Sequence, residues 1–264
     1  GAVRGLALPG VWEVAEDEGM RKIVRKGEDI ASPELAHSVH VELEGLAADR
    51  WYWYRFRAGD AESAVGRART MPPLQATPGK LRFAFASCQD YHYYYTAWQH
   101  LAQEKDLDLI VHLGDYIYEN GPRPDRPRQH NSPEIVSLGD YRNRLALYKT
   151  DEHLQAAHLL APFVVTWDDH EVENNYAGAM DQEGSRPEEF LKRRAGAYQA
   201  YYEHQPLRSF SKPIGPDMQL YRRISFGRLA DFFVLDTRQF RSSQPCGDKN
   251  GQPCGGFFDP RAAM

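Results

Sequence analysis

Several apolar runs of this chain each end in residues able to bind a metal or move a proton. "LRFAFAS" gives way to Cys88, Gln89 and Asp90, and "LDLIVHLG" to Asp115, with Tyr118 three positions on. "PFVVTW" gives way to Asp168, Asp169 and His170, and "FFVLDTR" closes with Asp236 and Arg238. In an open α/β sheet the ligand crevice lies beyond the carboxyl ends of the strands, so runs that become neighbouring strands would deliver these groups to one edge. A single aspartate there, standing alone, reads rather as the N-cap of the next helix. A succession of such strand ends favours a shared site. Carboxylate, imidazole, phenol and thiol together suit a cluster of hard and borderline cations.

"GDYIYE" is the most specific piece. Gly114 lets the backbone turn, and a helical turn would point Asp115 and Tyr118, at i and i+3, the same way. Aspartate and phenolate on one ion suggest a ferric centre. "TWDDHEVENN" crowds acids, a histidine and two asparagines behind an apolar strand; Asp169 and His170 are the candidates for ligand or acid/base work, with Glu171, Glu173, Asn174 and Asn175 capping and orienting. Cys88 reads as a buried structural thiol, a nucleophile or a metal ligand; a nucleophile would need an activating histidine, and His92 is the one close in sequence. His112, inside an apolar run, reads as core. His92, His100, His153 and His158 read as surface or packing, the tyrosines from Tyr91 to Tyr95 as the packing of a loop over the site, and Asp236 and Arg238 as a brace of their strand end.

The elements that must hold these residues follow from the hydrophobic pattern. Residues 1–71 read as a partial β-sandwich: "HSVHVEL" alternates, "GLAADR" turns and "WYWYRFRAG" is an aromatic-rich strand similar to the later strands of fibronectin type III-like domains. Residues 72–80 form a Pro-rich linker. From 81 to 264 strands alternate with helices: "LRFAFAS" as a buried strand, "YTAWQHLAQE" as a helix, "LDLIVHLG" as a strand, "YRNRLALYKTDEHLQAAHLL" as one or two helices and "PFVVTW" as a third strand. "EEFLKRRAGAYQAYYEHQ" reads as an amphipathic helix, and "LYRRISFG" with "LADFFVLDTR" as a hairpin. The expected fold class is α/β with a mixed sheet, preceded by a small β-sandwich domain.

Bulk properties limit the partners. The 264 residues suffice for one large domain or a large and a small one. A net charge of −5 with interspersed signs argues against nucleic acid as a specific partner. No run approaches the roughly 18 apolar residues of a membrane span, and "GAVRGLALPG" lacks the features of a signal peptide. Cys246 and Cys254 lie in a Gly- and Pro-rich loop where a disulfide is sterically easy and free thiols are equally admissible; pairing would lean extracytoplasmic.

In their order, "ASCQ", "GDYIYE", "DDHEVENN" and "LDTRQFR" resemble the alkaline phosphatase D (PhoD-like) family of metallophosphatases. The likeness covers nearly the whole chain, because the β unit before the linker also looks like that family's N-terminal domain. The resemblance implies an extracytoplasmic hydrolase of small phosphate esters, a phosphomonoesterase or phosphodiesterase, with ferric iron and calcium. Cys88 and Tyr118 would bind iron, Asp115 would bridge the ions, Asp169 would bind calcium, and His170 would stand beside the leaving group as the catalytic acid. The family's further metal-binding segment near the C-terminus has no counterpart after Arg238, which implies an incomplete ligand set and a chain inactive by itself. The competing readings are a phospholipase D-like diesterase and a non-catalytic fragment binding through its Trp51 and Trp53 face.

Overall fold

The computed structural model describes residues 5–242. Strands β1 (Leu8–Ala15), β2 (Ile23–Ala31), β3 (Trp51–Ala58), β4 (Ala61–Glu62) and β5 (Gly66–Arg69) make a five-stranded antiparallel sheet, ordered β2-β1-β3-β4 with β5 also paired to β3. "HSVHVEL" differs from expectation: it is irregular chain. Its alternation serves tertiary contacts instead of a ladder. Val39, Val41 and Leu43 face Val14, Tyr52 and Phe56 across a cavity of 520 Å³. Between those valines, His40 stacks on Tyr202 at 4.1 Å, and its Nδ1 lies 2.7 Å from the Leu207 carbonyl.

The remainder is α/β. Strands β6 (Phe83–Ala86), β7 (Leu109–His112) and β8 (Phe163–Val165) form a parallel sheet in that spatial order, crossed over by helix α1 (Thr96–Leu101) and by the pair α2 (Leu138–Tyr148) and α3 (Glu152–Leu160). Helix α4 (Pro187–His204) and the antiparallel hairpin β9 (Arg222–Phe226) and β10 (Ala230–Val234) follow. Parallel and antiparallel pairings are both present, the hairpin as a two-stranded sheet of its own.

Local chemistry explains the helices. Ser137 and Asp140 form a reciprocal capping box at the start of α2. Asp151 accepts from the His153 and Leu154 amides to begin α3, and Pro187 opens α4, where its missing N–H costs nothing. Phe190, Ala197, Tyr198 and Tyr201 on α4 keep the i, i+3, i+4 rhythm of a buried stripe. Where α4 meets α2, Gly196 allows a close approach: a Cβ there would stand 3.0 Å from the Leu138 amide.

β6 is not buried on both faces, as its continuous apolar run suggested. Ala84 and Ala86 pack against the core, whereas Phe85 is 69% exposed. Phe83, Leu113, Phe233 and Leu235 extend the same open apolar face. The core lies on the other side, where Trp98 stacks near His112 and Trp167 stacks on Tyr198 at 4.2 Å.

Candidate metal centre

Beyond the carboxyl ends of β6, β7 and β8 the backbone ladder continues into the loops. The Cys88 and Gln89 amides donate to the Gly114 and Asp115 carbonyls at 3.1 Å each, and the Thr166 amide donates to the His112 carbonyl at 3.0 Å. Cys88 (φ 59°) and Asp115 (φ 53°) are both left-handed, a conformation that costs a non-glycine residue energy and collects at functional sites. Gly114 (φ 114°) is irreplaceable on steric grounds, since a Cβ would meet the Asp168 amide at 2.3 Å.

This stitching brings the candidate ligands together. Single donor atoms of Asp115, Asp169 and His170 all lie within 4.8 Å of one another. The Tyr118 hydroxyl donates to Asp115 Oδ2 at 3.2 Å, and its ring lies 4.3 Å from that of His170. Asp115 and Tyr118 both act electrostatically on the Cys88 thiol. Asp115 Oδ1 is buried with no hydrogen-bond partner among the described residues. A buried carboxylate oxygen left bare is costly unless a cation faces it, and thiol, phenol, carboxylate and imidazole around it are a donor set that fits metal ions. Burial pushes the Cys88 thiol, the Asp115 carboxyl and the Tyr118 phenol up; the Asp115 charge adds to the shifts of Cys88 and Tyr118, and the charges of Asp169 and Asp168 add to that of Asp115. A bound cation would reverse that pressure.

A second set of residues positions the first. Glu119 was not singled out in the sequence, yet its Oε2 lies 2.7 Å from His170 Nδ1 while Oε1 accepts from the Asn174 amide at 2.9 Å. Burial works against the imidazolium, but the Glu119 hydrogen bond with the charges of Glu119, Asp115 and Asp169 outweighs it and holds His170 at about 9. Glu171 is fully buried and accepts from the Tyr116 amide at 2.5 Å and the Asp168 amide at 2.8 Å, so one carboxyl joins both site loops. Arg238 reaches Asp168 at 2.5 Å and Asp169 at 3.1 Å. It braces the "DDHE" loop across 69 residues of chain rather than its own strand end. Asp236 does have the structural role expected of it, accepting from Trp167 Nε1 and from the Arg238 and Gln239 amides.

Other expected positions divide. Tyr95 is core, whereas Tyr93 and Tyr94 are exposed. His112 is core, and His92 is buried packing with its ring on Asp90. Cys246 and Cys254 lie outside the described residues. No helix among the described residues is long and apolar enough to cross a membrane.

Comparison with known proteins fits this geometry. The family model described as PhoD-like phosphatase matches residues 83–264, and that of the PhoD-like phosphatase N-terminal domain matches residues 6–72. Alkaline phosphatase D of Bacillus subtilis (strain 168) is 56% identical over 264 residues, covering 98% of this chain and 45% of the relative. A solved structure, described as the structure of PhoD, superposes with a TM-score of 0.91 at 56% identity, covering 94% of this chain and 48% of that one. The chain thus spans a little under half the length of the relatives it matches.

Proposed function

Because the chain belongs to the PhoD-like phosphatase family, we propose that its strand-end cluster is the core of a phosphate-ester hydrolase site built on ferric iron and calcium. Cys88 and Tyr118 would hold iron, Asp115 would bridge, and Asp169 would hold calcium; thiolate and phenolate suit a ferric ion and carboxylates suit calcium. The bare buried oxygen of Asp115 carries this reading, because it sits among those donors and has no other partner among the described residues. When bound, such cations clamp the phosphate oxygens and make a water acidic enough to attack at neutral pH.

The protein's own groups supply the rest. His170 is held protonated by Glu119 and is poised to give its Nε2 proton to the departing alkoxide oxygen. Arg238 and the Asn175 amide fix the two oxygens of Asp169, and Glu171 keeps the Asp115 and Asp169 loops at constant separation. The nucleophilic alternative for Cys88 loses its support. Burial, and after it the adjacent Asp115 charge, raise the thiol away from the thiolate that a nucleophile needs.

Metal analysis of the full-length protein tests the reading. We expect bound iron with a visible charge-transfer band, and loss of both iron and phosphatase activity in Cys88→Ala; full activity in that variant would make the thiol structural. Turnover of a phosphomonoester against a phospholipid separates monoesterase from phospholipase-like action. The domain division at the linker of residues 72–80 and an extracytoplasmic location belong to the same proposal.

A further inference from the structure

Behind Tyr118 lies another cluster of metal-binding groups that the proposed centre does not use. Donor atoms of Asp90, His92 and His130 lie within 4.8 Å of one another. The His92 ring is 1% exposed and that of His130 2% exposed, and their centroids are 4.0 Å apart. Asp90 Oδ1 lies 2.7 Å from His92 Nδ1 and also accepts the His92 amide at 3.0 Å. His130 Nδ1 lies 2.6 Å from the Asn120 carbonyl. An oxygen acceptor that close favours the proton on Nδ1 of each ring, which leaves the lone pair on Nε2. That is the arrangement in which histidines bind metals, each imidazole oriented through its other nitrogen by an oxygen acceptor.

His92 Nε2 is buried with no partner among the described residues. His130 Nε2 lies 3.0 Å from the Tyr148 hydroxyl, whose oxygen already accepts from the Tyr91 and Tyr118 amides at 3.2 and 3.1 Å. Tyr148 therefore offers its proton to His130 in the absence of a cation. Two guanidinium groups flank the cluster: Arg144 Nη1 at 2.9 Å from His130 Nδ1, and Arg123 at 3.9 Å from Asp90 Oδ2. With Asp90 engaged in orienting His92, the donors left for a cation are imidazole nitrogens. Calcium and magnesium want oxygen ligands, and imidazole pairs suit zinc and its neighbours in the first transition row.

We propose that His92 and His130, oriented by Asp90 and the Asn120 carbonyl, form a second metal site for a zinc-class divalent cation. It ties the segment after β6 to the 118–133 loop, which Arg144 braces from the other side through the Asn120 and Pro133 carbonyls.

The test uses full-length protein purified with its resident metals and titrated with Zn²⁺, then with Co²⁺ as a spectroscopic stand-in. Wild type should take up one equivalent of zinc more than His92→Gln and show a cobalt ligand-field band that this variant lacks. Zinc should raise the melting temperature of wild type and of Cys88→Ala, but not that of His92→Gln. Asp90→Asn, which keeps an acceptor beside the ring, should weaken zinc binding about 10–100-fold. Equal zinc uptake by wild type and His92→Gln, or unchanged affinity in Asp90→Asn should His92→Gln fail to fold, would overturn the proposal.

Discussion

At the scale of residues, Glu119 and His170 act as a pair. Removing the carboxylate charge in Glu119→Gln should lower kcat about 10–100-fold with little change in KM, since Glu119 orients and charges a group without touching substrate. His170→Ala should cost about 10²–10⁴-fold on alkyl phosphates, whose leaving oxygen needs a proton, and far less on nitrophenyl phosphate, whose phenolate leaves unaided. Equal losses on both substrates would remove the acid role. Asp115, Tyr118, Asp169 and His170 were legible in the sequence because each closes or follows an apolar run. Glu119 was not, although it stands in the same quoted motif. Its role exists only through a partner 51 residues away, and no local pattern encodes that distance. Arg238 was seen but assigned to its own strand end, for the same reason.

At the scale of elements, the positions of helices and strands in the α/β part follow from periodicity, and the differences arise where tertiary contacts use a local pattern for another purpose. "HSVHVEL" has the rhythm of a strand and becomes an irregular segment because His40 finds an aromatic partner on α4. "LRFAFAS" has the composition of a strand buried on both faces, yet Phe83 and Phe85 face outward. The tightest element contact is the turn after β7. Gly114→Ala should destabilise the protein by about 3 kcal/mol and weaken metal uptake at the proposed centre, because the added methyl must displace the Asp168 backbone. The urea midpoint and the metal content together check this.

At the scale of the whole molecule, the buried His112 makes stability depend on pH. Burial lowers its pKa to about 3, so the folded protein refuses a proton that the unfolded chain accepts near 6.5. Above that value both states are neutral and stability is complete. As pH falls from about 6.5 toward 3 the unfolded state gains, and stability should drop on the order of 1.4 kcal/mol per pH unit from this group. Urea melts of wild type and His112→Phe across that range should differ in slope, the wild type losing stability relative to the variant as pH falls. Parallel curves would assign the acid loss elsewhere.

The span of the site along the chain sets when it can exist. Cys88 is made early, but the arginine that fixes Asp168 and Asp169 arrives 69 or more residues after them. During vectorial synthesis the first half of the pocket is a set of loose donors without shape. The proposed centre therefore gains its final shape only after residue 238 has docked on Asp168 and Asp169.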